Sequence, residues 1–371
     1  MSSEVIIVGA GIIGCACAHE LSAVGARVTV FDTRRAGQGA SQASAGVLAP
    51  YIEGHEPGPL RELGVRSLSM YDAFVQQAMR SSGLAVQYTR NGTLEVAFSH
   101  ETATKLRANA ETLMGEGVKA HWLDGPELRA AEPLVTSAAR AGLMVDSHGF
   151  VGVPDLIDVL STAAMKGGAA FALDTRVISI DEGPGGRLAV KTENGISFGD
   201  AVVIATGSWS GQLKVAEAVP PQVKPIRGQL LHLAWPTAQP LRHVLWGPRC
   251  YLVPWLNGRV LIGATVEDAG FDERATAAGV AELLDAGFTL LPELKTASFT
   301  EVRVGLRPAT PDSLPIVGPS KALPGVIYAT GHYRNGVLLA PLTAALVKDL
   351  VFGKTDDPAL AMLAPSRFGV L

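Results

Sequence analysis

The chain has 371 residues, 47% of them hydrophobic and only 18% charged, with a formal net charge of −4. That length suits two domains, the sparse charge excludes a largely disordered chain, and the missing basic excess removes nucleic acid from the expected partners. Charge or glycine interrupts every apolar run before membrane-spanning length, so no membrane span is expected.

The first residues, Met1-Ser2-Ser3-Glu4, carry no basic region, apolar core or cleavage site of a signal peptide, and the expectation is a cytoplasmic protein. Glu4 to Val8 (EVIIV) has the apolar, β-branched pattern of a parallel strand buried on both faces. Gly9-Ala10-Gly11-Ile12-Ile13-Gly14 follows, then an alanine-rich helix over 12–24 ended by Gly25, and a second strand at 27–31. Gly9, Gly11 and Gly14 thus form G-x-G-x-x-G between a strand and a helix. The first glycine permits the tight turn, the second lets a pyrophosphate approach the backbone, and the third lets helix and strand pack. Free N–H groups and the positive end of the helix dipole face the phosphates. Asp32 ends the second strand about 20 residues on, where an acid holds ribose hydroxyls. The combination predicts dinucleotide binding.

A loop rich in Gly, Ser, Ala and Gln spans 36–50, and apolar residues at helical spacing (Leu63, Leu68, Tyr71, Phe74, Val75) predict a helix over 60–80. A strand over 92–98 and a solvent-facing helix over 101–115 come next. Near Asp146 the chain returns to the first unit, with a helix at 154–166 and strands at 175–181, 188–192 and 201–205. Residues 223–304 read as alternating strands, with a hairpin at Asn257-Gly258. The tail has a loop, a strand at 326–330 and a closing helix at 339–351. The expected fold is α/β: a Rossmann-like dinucleotide-binding domain (1–87, 146–220, 305–371) interleaved with an antiparallel-sheet substrate domain (88–145, 221–304).

A nicotinamide enzyme continues in strict βαβ repeats. This chain instead leaves its first unit after one long helix, and the later strand bearing Val177 and the Ala205-Thr206-Gly207 segment suit a flavin-binding sheet better. Other patterns carry less. Gly207-Ser208-Trp209-Ser210-Gly211 puts Trp209 where a nucleophile elbow needs serine. The histidines show no paired ligand spacing, and Cys15 and Cys17 lie in a small-residue helix, so no metal is expected. Three cysteines without framework spacing suit a reducing compartment.

Several segments together resemble the D-amino-acid-oxidase-like FAD-dependent oxidoreductases, within them the glycine oxidase branch of the thiamine pathway. They are the glycine turn, Ala40-Ser41-Gln42-Ala43-Ser44-Ala45-Gly46, the Ala205 segment, Pro225-Ile226-Arg227-Gly228-Gln229, Tyr251-Leu252-Val253-Pro254 and Gly263-Ala264-Thr265-Val266-Glu267. The most specific are the stretches from Gly305 to Asp312 and from Gly331 to Pro341. The resemblance implies FAD held non-covalently, since the tail lacks the cysteine to which covalent relatives attach it. It places Asp32, Thr33, Ala40, Ser41, Ala45, Gly46 and Val47 along the ribose, pyrophosphate and a flavin edge. Val177 would hold adenine through its backbone, with Gly207 nearby, and His332, Tyr333, Arg334, Asn335, Gly336, Val337 and Leu338 would wrap the flavin's pyrimidine end.

The resemblance also implies that Arg307 holds a substrate carboxylate, with Tyr251 adding a hydrogen bond and Arg334 touching substrate or flavin. Trp246, Arg249 and Val266 depart from the expected pocket and leave its size open. The expected reaction is FAD-dependent oxidative deamination of glycine, sarcosine or a small D-amino acid. Hydride transfer to the flavin would give an imine, then a 2-oxo acid, ammonia and, with dioxygen as acceptor, hydrogen peroxide. A D-amino-acid or imino-acid dehydrogenase with a non-oxygen acceptor is the alternative, and an idle FAD-binding module stands in a different class. A homo-oligomer is what the resemblance implies for assembly.

Overall fold

The computed structural model describes residues 3–53, 57–255 and 258–371. Its first sheet has six strands in the order Ile316–Pro319, Val326–Thr330, Ala201–Ile204, Glu4–Val8, Arg27–Phe31 and Ala170–Ala172. All neighbours run parallel except the Ile316–Pro319 edge. Successive side chains point to opposite faces. Val5 and Ile7 therefore enter a core shared with four helices (Ile12–Ala23, Pro59–Ser82, Val153–Lys166, Gly336–Val351), while Ile6 and Val8 enter another. That other face is covered by a four-stranded sheet made by Val177–Glu182, Leu188–Thr192, Gly195–Gly199 and Lys214–Val215. Burial on both faces is why the central strands are apolar throughout.

The second large sheet has eight strands, ordered Ser298–Ala309, Lys224–Ala234, Arg259–Gly263, Tyr251–Trp255, Val244–Trp246, Thr93–Ala97, Ala141–Val145 and Ala120–Leu123. Only the pair Val244–Trp246 and Thr93–Ala97 is parallel. One face packs its own core, including Leu231, Leu252 and Ile262, under the helix Ala277–Leu290. The opposite face carries Leu230, Val253 and Leu261 against Ala45 and Phe150 of the first unit. The strand Ser298–Ala309 runs unbroken through the boundary expected at 304/305.

The helix Ala277–Leu290 corrects the expectation that 223–304 is strand alone. Thr276 caps it by accepting the Gly279 N–H, and Leu283, Ala286, Gly287 and Leu290 are buried at helical spacing. Two interior glycines weaken its intrinsic preference by about 1 kcal/mol each and disguise it. Both are packing requirements: a Cβ at Gly279 would strike the Gln229 amide, and one at Gly287 would strike Ile262. The helix expected over 101–115 begins at His100 behind the Ser99 cap and buries Leu106, Ala110 and Leu113. The closing helix starts at Gly336, three residues early, and accommodates Pro341. Of the expected hairpin, Asn257 lies outside the described residues, and Gly258 sits in a turn at φ 74.

Gly14 is the point of closest packing in the first unit, since a Cβ there would collide with the carbonyl oxygen of Gly9. Gly14→Ala is expected to lower stability by about 2 kcal/mol or more through overpacking, read by denaturant unfolding. Unchanged stability would mean the helix can back away from the strand.

Candidate functional site

A cavity of about 600 Å³ runs between the two large sheets, within the range of cofactor sites. Its floor at one end is the glycine turn. Gly9 adopts φ 107 and its N–H donates to Phe31 O at 2.7 Å, which closes the turn against the second strand. A Cβ at Gly9 would meet Ala205 O, so the neighbouring strand end presses directly on the turn. Gly9, Gly11, Ile12 and Ile13 line the cavity, whereas Gly14 lies behind it and serves packing.

Asp32 lines the same end, half-buried, with Oδ2 accepting the Ala10 N–H (2.7 Å) and Oδ1 the Arg34 N–H (2.9 Å). Burial pushes its carboxyl up, and these N–H groups offset the shift only in part. Thr33, Ala40, Ser41, Ala45, Gly46 and Val47 also line it. Ser41 Oγ accepts the Ile12 N–H at 3.0 Å, which satisfies a free donor at the start of the helix. Val177 and Gly207 line the cavity from the later strands.

From the tail, His332, Tyr333, Arg334, Gly336 and Val337 reach the cavity, but Asn335 and Leu338 do not. Asn335 caps the closing helix through its carbonyl to the Leu339 N–H, and Leu338 is buried in the helical core beside Gly64. His332 is buried, its Nε2 paired with Thr343 Oγ at 2.9 Å, and burial pushes its pKa down to about 3. It is therefore neutral at working pH.

Arg307 and Tyr251 enter from the eight-stranded sheet. The guanidinium of Arg307 lies over Gly228, where a Cβ would collide with it, and Nη1 donates to the carbonyls of Thr265 (2.9 Å) and Arg227 (3.3 Å). It makes no further hydrogen bond among the described residues. The Tyr251 ring covers Gly263 in the same manner and packs on Trp246 at 4.9 Å. Arg249 instead pairs with Asp285, and Val266 is 59% exposed, so neither contributes to the described cavity wall.

Sequence reasoning missed Arg34 and Trp209. Arg34 forks onto Glu273 at 2.9 and 2.7 Å and lies 4.8 Å over the Trp209 ring, which meets Phe271 at 5.9 Å. The two large units are thus tied beside the cavity by partners 239 residues apart, a separation no local pattern records. Arg34, Arg176, Arg307 and Arg334 line the cavity with Asp32 as the single carboxylate among the described lining residues. That imbalance favours an anionic occupant. No cluster of three metal-ligating side chains occurs among the described residues. The three cysteines are buried away from the cavity, with thiols pushed up by burial.

A bare glycine turn at a helix start, glycine floors and four guanidinium groups fit an extended, doubly phosphorylated cofactor with a small anion beside it. This is the architecture of a flavin-dependent oxidoreductase. The chain belongs to that family: the family description "FAD dependent oxidoreductase" matches residues 4–350. Glycine oxidase of Geobacillus kaustophilus is 34% identical over 365 residues, covering 98% of this chain and 97% of the relative. The crystal structure of glycine oxidase from Geobacillus kaustophilus superposes with a TM-score of 0.93 at 32% identity, over 99% of each chain. The bifunctional protein ThiO/ThiG of Nostoc sp. is 35% identical over 99% of this chain, which spans 55% of that longer protein.

His332, His148 and His232 all have pKa values pushed down by burial, to about 3, about 3 and about 4. The unfolded chain protonates histidines near their ordinary value of about 6.5 while the folded state keeps these neutral. Stability should therefore be full above that pH and fall on acidification toward pH 4, each ring adding at most about 1.4 kcal/mol per pH unit. Denaturant midpoints between pH 7.5 and 5 check this, and a flat profile would contradict it.

Proposed function

We propose that the chain oxidises glycine, sarcosine or another small amino acid, with dioxygen as electron acceptor. The observation that carries this reading is Arg307, whose guanidinium is anchored, among the described residues, through Nη1 alone while its side chain lines the cavity. A planar guanidinium binds a carboxylate through two parallel hydrogen bonds, so Arg307 orients the substrate by its acid group. Tyr251 adds a hydroxyl from the same sheet, and Arg334 approaches from the tail. Asp32, Thr33, Ser41, Gly46 and the backbone at Val177 would hold the cofactor, and the turn from His332 to Val337 its ring end. In this reading 1–87, 146–220 and 305–371 carry FAD, while 88–145 and 221–304 supply the substrate wall.

FAD, when bound, supplies the two-electron acceptor. The protein's own contribution is positioning: Arg307 and Tyr251 fix the substrate so that its Cα–H is presented in one orientation. No protein base is required. His332 is neutral and committed to Thr343, and Asp32 is committed to the turn, so the substrate amine loses its proton to solvent and activity rises toward alkaline pH. The substrate leaves as an imine, which water hydrolyses to a 2-oxo acid and the amine, ammonia from a primary amino acid and methylamine from sarcosine. A cytoplasmic homo-oligomer completes the proposal, supported by the family resemblance and the unbridged cysteines.

Anaerobic mixing with glycine, sarcosine, D-alanine and D-proline followed by air tests the reaction. Rapid bleaching by glycine or sarcosine, with prompt reoxidation and peroxide, is expected. Slow reoxidation would replace dioxygen by another acceptor, and no bleaching would remove the small-amino-acid reading. Arg307→Ala is expected to raise KM about 100-fold, the loss of a charge-assisted pair of about 2.7 kcal/mol.

A further inference from the structure

Nothing on its own strand holds the guanidinium of Arg307. Its two acceptors are the carbonyl of Arg227, on the strand Lys224–Ala234, and the carbonyl of Thr265, on the loop after the strand Arg259–Gly263. Gly228 supplies the flat surface beneath it. The relative placement of these two segments therefore sets where the guanidinium stands and which way it faces.

One carboxylate ties the segments together. Glu267 Oε2 accepts from Arg227 Nη2 (2.6 Å) and Nε (3.2 Å), and Oε1 accepts from Thr265 Oγ (2.6 Å) and Gln229 Nε2 (2.8 Å). The backbones of Arg227 and Glu267 exchange both N–H···O bonds, at 2.8 and 2.9 Å. Thr265 Oγ in turn accepts the Gln229 N–H at 2.9 Å, so its only proton goes to Glu267. Arg227 is 8% exposed and completes its pairing on Asp272 at 3.0 Å. Burial pushes the Glu267 carboxyl up, but the bonds from Thr265, Gln229 and Arg227 outweigh it and hold the group ionised. Glu267 does not line the cavity.

We propose that Glu267, acting through Thr265 and Arg227, is the positioning residue that aims the Arg307 guanidinium into the cavity. The proposal rests on Arg307 being the carboxylate ligand. A glutamine at 267 can still accept from Thr265, but its amide nitrogen cannot accept from Arg227. Arg227 would then shift toward Asp272, and one of the two carbonyls under Arg307 would move with it. Two parallel bonds tolerate little misalignment, so the effect falls on recognition of the carboxylate rather than on the oxidation itself.

The test uses the FAD-loaded enzyme and acetate, an unreactive carboxylate, whose Kd is read from the flavin absorption band. It is paired with kcat and KM for the substrate that bleaches the flavin fastest. Glu267→Gln and Thr265→Val should each raise the acetate Kd and the KM about tenfold with kcat within about twofold. Thr265→Ser, which keeps the hydroxyl, should stay within about twofold of the parent protein. Arg307→Ala separates the two ideas. If it leaves acetate binding unchanged, the carboxylate-ligand reading itself fails. If it weakens binding while Glu267→Gln and Thr265→Val do not, the positioning role is overturned. A fall in kcat and thermal midpoint at unchanged acetate Kd would also overturn it, because that is what a merely structural residue does. Should Glu267→Gln not fold, the Thr265→Val and Thr265→Ser pair decides alone.

Discussion

The closeness of the 12–23 helix to the strand before it is the constraint on which the cofactor end of the molecule depends. With no Cβ at Gly14, the helix start sits directly on the Gly9 carbonyl, and with none at Gly9 the strand Ala201–Ile204 can bring Ala205 up against the turn. Distant segments then lock the turn from outside. Asp32 takes the Ala10 N–H, Ser41 takes the Ile12 N–H, and Gly37 donates to the Ala10 carbonyl at 2.8 Å. A helix start held this rigidly presents its remaining donors and its dipole to a phosphate without reorganisation.

The end of the cavity lined by Arg307 depends on strand alternation. Along Ser298–Ala309, residues Arg303, Gly305 and Arg307 share one face, set opposite Leu230, Gly228 and Ile226 of the neighbouring strand. That face meets the first unit. Gly305 packs against Ala40 and Ala43, and Arg303 donates to the Gln42 carbonyl at 3.3 Å. The loop of small residues at 40–46 therefore does two jobs: it lines the cavity and lets the two sheets approach closely enough to enclose it. One strand register thus carries both the contact between units and the cavity-lining Arg307.

Much of this was legible along the chain. The first βαβ unit was readable because its determinants lie within one local stretch: apolar strands, three spaced glycines and an acid at the second strand end. The long helix over Pro59–Ser82 was readable from its apolar spacing. The helix Ala277–Leu290 was not, because its glycines answer to Gln229 and Ile262 across the fold rather than to helix preference. Asn335 and Leu338 belong to the same motif but not to the described cavity lining, since on a helix of 3.6 residues per turn Gly336 and Val337 share the cavity side while Leu338 is buried in the helical core. Arg34 and Trp209 carried no signal that set them apart from ordinary surface and packing residues.

The sequence by itself determined the cofactor class and the family, because a phosphate-binding turn is short-range chemistry written in consecutive residues. Where the guanidinium of Arg307 stands was decided by the tertiary structure alone. The two carbonyls that hold Arg307 lie 42 and 80 residues away in the chain, and the carboxylate joining their segments touches the cavity nowhere. A guanidinium acquires a direction only when distant backbone acceptors occupy one of its edges, and those acceptors meet only after the sheet has formed.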